Sequence, residues 1–387
     1  MKSFILFFII VFCVYTAANI YLFVRGWQAL EIMGRQRFWF AVLFGITACS
    51  FLVTQMLHIK GVSGSLFDFF FMVGSCWIAV MLYGFLILFA FDILRTIGWA
   101  GNFKPDFIYR HYPLTKAILF GAVCLVISVI LIAGYGNAHR LRATNLKIAV
   151  DKKAGQLTGL RVSMVSDIHL GHIHGRKSLA RIVDAINEQK PDIVFLVGDV
   201  FDNSPKPALK NNMGLEFERL QTKYGAYFVT GNHEYISERA ARNSRKTILG
   251  YLSSHGIRPL QDSFVLIDDG FYVAGRKDRS ADTRKTIPEL LHGTDRQLPV
   301  IVLDHQPYLF DEAEQAGVDL YLSGHTHHGQ MWPLNYITGK LFEQDWGLLQ
   351  KGKSHFYVSC GVGTWGPPIR TTGYPEVVVI DLEFIPQ

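Results

Sequence analysis

Long apolar runs fill the first third of the chain. Four of them approach or exceed the roughly 20 apolar residues that a membrane-spanning helix needs, and they cover residues 4–24, 38–58, 66–94 and 117–135. No small-x-small cleavage site follows the first run, so it does not have the pattern of a removable signal peptide. The pattern predicts a membrane domain over residues 1–136 with four transmembrane helices.

The pattern changes near residue 146, where short apolar runs begin to alternate with amphipathic stretches. The runs at 160–165 and 193–197 are rich in β-branched residues, which is typical of buried strands. The apolar residues that recur between them at helical spacing are Leu179, Ile182, Val183 and Ile186. Further runs predict strands at residues 227–230, 263–267, 272–274, 300–303, 320–322, 356–359 and 377–382. We expect a mixed-sheet α/β domain over residues 160–387, preceded by a linker and first strand region at 137–159.

Composition agrees with this division. Half of the 387 residues are apolar and 18% are charged, against about 25% charged in typical soluble domains. The net charge is +6, but residues 1–136 hold 9 Lys/Arg and only 4 Asp/Glu, so most of the excess lies in the loops of the apolar part. The charge therefore gives no indication of nucleic-acid binding. Four of the five cysteines lie inside apolar runs, which excludes a disulfide framework and a zinc-ribbon spacing.

The loop cations predict the orientation in the membrane. Loops one and three together hold seven of them: Arg25, Arg35, Arg37, Arg95, Lys104, Arg110 and Lys116. The N-terminus offers Lys2 and loop two offers Lys60. Because cytoplasmic loops carry the excess of Lys and Arg, loops one and three are predicted to be cytoplasmic and the domain after the fourth helix extracytoplasmic. Arg140, Arg142 and Lys147, which closely follow the fourth helix, argue for the opposite orientation.

Polar side chains that can bind metals follow five of the predicted strands. They are Asp167 and His169, Asp199 and Asp202, Asn232 with His233 and Glu234, Asp304 and His305, and His325 with His327 and His328. Strands of an α/β sheet direct their carboxyl ends to one edge, so these side chains are expected to lie together. Carboxylate, imidazole and amide donors suit Mn, Fe or Zn rather than a thiolate site. A lone His-x-His pair would be weak evidence for a metal site. Five motifs with possible metal ligands, each after a predicted strand, predict a metal centre.

The order of these motifs resembles the calcineurin-like metallophosphoesterases. Asp-x-His, Gly-Asp-x-x-Asp, Gly-Asn-His-Glu, a lone His and Gly-His-x-His occur in succession over residues 160–382, and the tail from Gly361 to Arg370 resembles the membrane-attached bacterial branch. The resemblance implies a four-layer α-β-β-α sandwich with two divalent metal ions at the strand ends. The implied ligands are Asp167, His169, Asp199 and His327 for one ion, and Asp199, Asn232, His305 and His325 for the other. His328 stands where the branch often has glycine, so it either carries backbone strain or adds a polar contact to the substrate.

The resemblance implies a dinuclear-metal phosphoester hydrolase in a multi-pass protein of the bacterial cell membrane. Two bound ions would supply a hydroxide as nucleophile near neutral pH, and they would stabilise the charge that builds up on the phosphoryl oxygens. His233 is the candidate general acid for the leaving oxygen, and Asp202 is the carboxylate that orients and charges its imidazole. In the alternative reading, His233 only positions a phosphate oxygen. Neither G-x-S-x-G nor a supported cysteine nucleophile occurs in the sequence.

Several alternatives stay open at the level of sequence. Four transmembrane helices exceed what simple tethering requires, which favours a lipid-linked phosphate or pyrophosphate in the lipid bilayer over a soluble nucleotide. The second function class is a metal-binding scaffold or sensor that recognises a phosphorylated ligand without turnover. His172 and His174 are expected in an exposed loop, and Arg370 is expected either to meet substrate or to form a structural ion pair. The oligomeric state is left open.

Overall fold

The structure, a computed structural model, describes residues 2–59, 62, 64–103, 105–240 and 243–385. Lys60 and Lys104, two of the cations counted in the loops, lie outside these residues. The chain divides into two compact units, Met1–Tyr135 and Gly136–Gln387. The first unit is helical, and the second combines two sheets with helices.

The first unit consists mainly of long apolar helices. Its helices are α1 (Lys2–Ala29), α2 (Arg37–Ile59), α3 (Ser65–Ala100), α4 (Asp106–Arg110) and α5 (Tyr112–Ala138). Among the described residues, three helical segments are long and apolar enough to cross a membrane, and they are Ile9–His58, Ser65–Ala100 and Tyr112–Ala138. The first segment has 50 residues and contains most of α1, all but the last residue of α2, and a 3-10 turn at Leu30–Gln36 between them.

Side-chain contacts show that α1 and α2 form a hairpin. The hydroxyl of Tyr15 donates to the carbonyl of Ala48 at 2.6 Å, and the ring of Phe23 stacks on that of Phe40 with 5.9 Å between centroids. The middle of α1 thus contacts the middle of α2, and the end of α1 contacts the beginning of α2. This pairing requires the chain to reverse at Leu30–Gln36. The 50-residue segment therefore covers most of the first predicted span and all of the second.

Charged side chains at one end of this unit are paired. Arg25, near the end of α1, donates to Asp92 of α3 at 2.5 Å, and the hydroxyl of Tyr21 donates to the same carboxylate at 2.6 Å. Lys116 of α5 forms an ion pair with Glu31 at 2.7 Å. Pairing lowers the cost of holding charge close to apolar surroundings. Both ion pairs lie at the end that carries loops one and three, the loops predicted to be cytoplasmic.

The second unit is built on two six-stranded sheets. Its strands are β1 (Arg142–Val150), β2 (Gly159–Val165), β3 (Ile193–Val197), β4 (Ala226–Val229), β5 (Ile257–Pro259), β6 (Ser263–Ile267), β7 (Phe271–Gly275), β8 (Val300–Leu303), β9 (Leu320–Ser323), β10 (Gly347–Lys351), β11 (Ser354–Val358) and β12 (Glu376–Phe384). The first sheet has the order β1-β12-β2-β3-β4-β5, and the second has the order β10-β11-β9-β8-β7-β6. The helices of this unit are α6 (Arg176–Glu188), α7 (Lys206–Lys210), α8 (Asn232–Ala240), α9 (Ser244–Ser254), α10 (Ile287–Leu290), α11 (Phe310–Gln315) and α12 (Asn335–Leu341), with 3-10 turns at Met213–Arg219 and His327–Gly329.

Three apolar clusters arrange these elements in four layers. One cluster lies between the sheets and includes Met164 and Phe195 of the first sheet and Phe271 and Leu322 of the second. Another lies between the first sheet and helices α6 and α9, and a third lies between the second sheet and helices α10 and α11. Each large apolar side chain buried in this way contributes about 1.5–3 kcal/mol to folding. The expected α-β-β-α sandwich is confirmed.

All the strands predicted from apolar runs are present within two residues at each end. Two strands were not predicted, and each has a physical reason. β5 has only three residues and includes Pro259, so it carries little apolar signal. β10 lies at the edge of the second sheet, where its residues are half-buried or exposed and need no apolar run.

Strand direction decides which side chains meet. β2, β3 and β4 run parallel and end at the same edge of the first sheet, which we call the carboxyl edge. In the second sheet β7, β8, β9 and β11 are parallel to one another. β12 runs antiparallel to β2, and β1 runs parallel to β12. β1 therefore begins at the carboxyl edge, where β2, β3 and β4 end.

Candidate metal centre

Each predicted ligand lies within a few residues of the carboxyl end of a strand. The order is Asp167 and His169 after β2, Asp199 after β3, Asn232 after β4, His305 after β8, and His325 and His327 after β9. All of them are buried except Asn232 and His325, which are half-buried. Buried carboxylates and imidazoles need compensating partners, because the interior solvates charge poorly. The structure thus brings all seven predicted ligands to one place and leaves them dependent on one another or on bound cations.

Asp167, His169 and His327 form the first ligand group, with one candidate ligand atom of each within 4.8 Å of the others. The Nε2 atoms of His169 and His327 are 3.1 Å apart, and Nε2 of His327 lies 3.4 Å from a carboxylate oxygen of Asp167. Two ligand atoms that each lie about 2.1 Å from one ion, at about a right angle, would be about 3 Å apart. Burial, together with the neighbouring His233 and His327, lowers the pKa of His169 to about 3. Its imidazole is therefore neutral and has a lone pair for a metal.

Asp199, His305 and His325 form the second ligand group, and one candidate ligand atom of each again lies within 4.8 Å of the others. Nε2 of His305 lies 3.1 Å from the carboxylate of Asp199. Nδ1 of His305 donates to the carbonyl of Val197 at 2.8 Å, which turns Nε2 toward Asp199. The same Nε2 lies 3.9 Å from a carboxylate oxygen of Asp167. The two groups therefore adjoin.

Asn232 is the residue whose amide oxygen was predicted to join the second group. This oxygen is buried and has no hydrogen-bond partner among the residues that the structure describes. Such an oxygen costs about 1–3 kcal/mol when it stays unsatisfied, and a cation would satisfy it. Asp199 belongs to the second group and also to a group with His169, so its carboxylate lies between the two sets. The residues present fit two divalent ions with Asp199 between them.

Glycines beside the ligands allow the motifs to pack this closely. A Cβ on Gly231 would lie 2.2 Å from a carboxylate oxygen of Asp199, and one on Gly324 would lie 2.4 Å from a carboxylate oxygen of Asp167. Neither distance can be met unless the carboxylate moves. The glycines of Gly-Asn-His-Glu and Gly-His-x-His are therefore part of the site geometry.

The backbone of the ligands is held in an unusual conformation. The residues with left-handed φ are Asp167 at 56°, His169 at 53°, Asp199 at 51°, His325 at 74° and His327 at 49°. Residues other than glycine adopt this region at a cost of about 1–3 kcal/mol each, and they keep it only where the surrounding structure enforces it. These strained residues lie together at the strand ends. The fold therefore tolerates a loss of stability there, and the conformation orients the candidate ligands toward one another.

His233 lies between the ligand groups and Asp202. Its Nδ1 is 3.3 Å from a carboxylate oxygen of Asp202, and its Nε2 is 3.9 Å from Asp199. Burial lowers the pKa of His233, but Asp199 and Asp202 more than offset this and raise it to about 9. His233 also forms a candidate ligand group with His169 and Asp199. Its position is therefore compatible with both an acid and a ligand, and the predicted pairing with Asp202 is present.

Glu234 is a site residue to which the motif analysis gave no role. Its buried carboxylate accepts hydrogen bonds from the backbone N–H groups of Asp199 and Phe201, both at 3.1 Å, and of Gly231 at 2.7 Å. It ties the loop that carries Asp199 to the loop that carries Asn232. The available signal was its place in Gly-Asn-His-Glu, in the first turn of α8.

The prediction of an exposed loop for His172 and His174 is wrong for His174. His174 is buried, and its Nε2 accepts a hydrogen bond from the backbone N–H of Thr364 at 3.0 Å. Burial lowers the pKa of His174 to about 4. The loop after β11 packs over it, a contact between distant parts of the chain that local sequence does not reveal. His172 is half-buried.

Arg370 was expected either to meet substrate or to form a structural ion pair, and the structure shows neither for the residues that it describes. Its side chain is fully buried, so it does not reach a substrate surface, and within the described residues it forms no ion pair. Its guanidinium donates to the carbonyls of Cys360 at 2.8 Å and Gly363 at 2.7 Å, and a nitrogen lies 3.4 Å from the carbonyl of His327. Gly363 in turn donates to the carbonyl of Asp167 at 2.9 Å. Arg370 thus braces the loop behind two ligands.

His328 carries the backbone strain that its motif position suggested. Its φ is 47° and its ψ is 44°, within the left-handed region that glycine adopts more easily. Its Nδ1 lies 2.9 Å from the carboxylate of Asp345, and its ring centroid lies 5.0 Å from that of Trp346. The imidazole of His328 therefore makes a polar contact with Asp345 of the same chain.

Comparisons with known proteins show what this chain is similar to. A family model described as calcineurin-like phosphoesterase matches residues 160–329. An uncharacterized metallophosphoesterase of Aquifex aeolicus is 32% identical over 58% of this chain and 86% of its own length. A transmembrane protein with metallophosphoesterase domain of Danio rerio is 28% identical over 86% of this chain and 80% of its own. An uncharacterized metallophosphoesterase of Campylobacter jejuni is 29% identical over 98% of this chain and 99% of its own. The last two matches extend from the α/β unit into the apolar helices.

Proposed function

Because this chain belongs to the calcineurin-like phosphoesterase family of metal-dependent hydrolases, we propose that it cleaves phosphoesters with two divalent ions at the carboxyl edge. The observation that carries the proposal is the pair of adjoining ligand groups with Asp199 between them. The first ion would be held by Asp167, His169, Asp199 and His327, and the second by Asp199, Asn232, His305 and His325. This donor set suits Mn, Fe or Zn.

The work of the chain's own side chains follows from their positions. Bound ions would supply a nucleophilic water near neutral pH and neutralise charge on the phosphoryl oxygens. His233, placed beside both ligand groups, gives a proton to the leaving oxygen. Asp202, 3.3 Å from Nδ1 of His233, holds the ring so that Nε2 faces the side of Asp199. Glu234 keeps the two ligand loops in register through three backbone N–H groups.

We propose a lipid-linked phosphate or pyrophosphate as the substrate. The chain has more apolar helix than a tether needs, and the hydrolase unit follows it directly. The test is an assay of the purified full-length protein with Mn²⁺ against phospholipids, lipid pyrophosphates and nucleotides. A kcat/KM for a lipid phosphate at least about tenfold above that for any nucleotide is expected, which is about 1.4 kcal/mol of preference. A preference for nucleotides would contradict the proposal.

We expect the hydrolase unit to lie outside the cytoplasm. The reason is the seven Lys and Arg of loops one and three, at the end where Arg25 pairs with Asp92. A reporter that is active only outside the cytoplasm should be active when it is fused after Gln387 and inactive when it is fused near Lys104. The opposite pattern would place the hydrolase unit in the cytoplasm and shift the substrates to cytoplasmic lipid precursors.

A further inference from the structure

An exposed apolar surface borders the metal centre. Helix α12 has no buried residue, although a helix of a soluble domain normally buries one apolar face. The exposed apolar side chains of this helix and its surroundings are Trp332, Tyr336, Ile337, Leu341 and Trp365, each 50–66% exposed. We call these five residues the apolar rim. Exposed apolar side chains grouped in this way are typical of a contact with a membrane or with another protein.

Hydrogen bonds and ring contacts join the apolar rim to the loop that carries His325 and His327, both at helix α12 and at Trp365. The ring of Phe342, which directly follows α12, lies 6.0 Å from the ring of His325 between centroids. The buried side chain of Gln330, two residues before Trp332, accepts from the backbone N–H of Trp365 at 2.8 Å and donates to its carbonyl at 3.0 Å. The rim therefore stays beside the metal centre.

The chain enters the hydrolase unit on the same side. The last apolar helix ends at Ala138, and β1 begins at Arg142 at the carboxyl edge. The side chain of Asn137 donates to the carbonyl of Arg370 at 3.1 Å, in the segment that follows Trp365. The chain thus enters the hydrolase unit at the edge that carries the ligands and the rim. An attached domain meets the bilayer surface at a high effective concentration.

The composition of the rim favours lipid as its occupant. Residues 331–342 contain one charged residue, Lys340, and no acidic residue. Trp and Tyr are enriched where apolar acyl chains meet water, and a cation at that level is attracted to anionic lipid. A protein interface rich in aromatic residues would usually carry a mixed polar border. Charge and aromatic content therefore both fit the headgroup region of a bilayer.

We propose that the apolar rim lies in the interfacial layer of the membrane and guides a lipid-borne phosphate into the metal centre. Contact of the rim with lipid follows from its exposure, its composition and the attachment point. Its effect on the substrate rests on the proposed function.

A crosslinking experiment tests the lipid contact directly. Ile337 is replaced by the photocrosslinking residue p-benzoylphenylalanine in the full-length protein, which is reconstituted in vesicles of phosphatidylethanolamine and phosphatidylglycerol. The matched control carries the same residue at Lys190, which is exposed at the opposite edge of the first sheet. Irradiation should yield lipid adducts at position 337 and not at position 190. Equal labelling at both positions, no lipid adduct at 337, or capture of a second copy of the chain would overturn the proposal.

A second arm measures the consequence for the substrate. In the double variant Trp332→Ser, Ile337→Ser, the ratio of kcat/KM for phosphatidic acid in vesicles to kcat/KM for p-nitrophenyl phosphate should fall about tenfold, since each side chain loses apolar burial in lipid. As a control, Leu266→Ser changes an exposed leucine on β6, the edge strand of the second sheet, and should leave the ratio unchanged. An unchanged ratio in the double variant would contradict the guiding role. A wild-type protein that hydrolyses neither compound would count against the proposed function, whereas the crosslinking would still decide the lipid contact.

Discussion

Asp199→Asn should abolish turnover and remove most of the bound metal while the protein stays folded. The carboxylate of Asp199 lies 3.1 Å from His305 and also belongs to a group with His169, so its neutralisation weakens both proposed ion sites at once. Asparagine keeps the oxygen that accepts the backbone N–H of His233 at 2.8 Å, and this preserves the local fold. We expect kcat/KM to fall at least about 10³-fold, or about 4 kcal/mol in the barrier.

The measurement for Asp199→Asn combines elemental analysis, circular dichroism and phosphate release. The matched control is Asp269→Asn, in the exposed turn between β6 and β7 at the edge away from the site. The control should keep both its metal and its activity. A folded, active Asp199→Asn protein that still holds about two ions per chain would refute the ligand assignment.

His233→Asn should slow an alkyl phosphoester far more than a nitrophenyl ester. Nitrophenolate leaves readily without a proton, whereas an alkoxide from a lipid or sugar needs one. General acid catalysis is worth about 10²–10⁴-fold, or about 3–5 kcal/mol, when the leaving group requires it. Asp202→Asn should act in the same direction but more weakly, since Asp202 only orients the ring from 3.3 Å.

Metal content separates the two roles that the position of His233 allows. If His233 is the acid, His233→Asn keeps its metal and loses rate only on the alkyl ester. His292→Asn, an exposed histidine after α10, serves as the control and should match the wild type on both substrates. An equal loss on both esters together with a loss of metal would make His233 a ligand, and the acid role would pass to water.

The grouping of the candidate ligands could be predicted because residue type and position agree. Asp199 directly follows Gly198 at the end of an apolar strand, and the same pattern recurs at Asn232 after Gly231. Parallel strands then bring the two ends together at one edge, so the order of motifs is enough to group them. The strand runs predicted a mixed-sheet α/β domain for the same reason, whereas the four-layer sandwich was implied by the family resemblance. These features depend on local pattern, which a single sequence contains.

Features that depend on tertiary contacts could not be predicted. The sequence around His174 resembles an exposed loop, and only the packing of Thr364 over it makes it buried. The hydrogen bond from Gly363 to the carbonyl of Asp167 likewise joins distant parts of the chain and has no signal in the local sequence. Arg370 donates to backbone carbonyls, which every residue has, so the residue types of its partners could not reveal these contacts.

Removal and return of metal tests the central claim most directly. The full-length protein is stripped with a chelator and titrated with Mn²⁺ while phosphate release and ions bound per chain are measured together. We expect no turnover without metal and a rise in turnover that reaches its plateau at about two ions per chain, as two adjoining ligand groups require. Full activity in the stripped protein, or binding of about two ions per chain without turnover of any phosphoester, would contradict a two-ion phosphoester hydrolase.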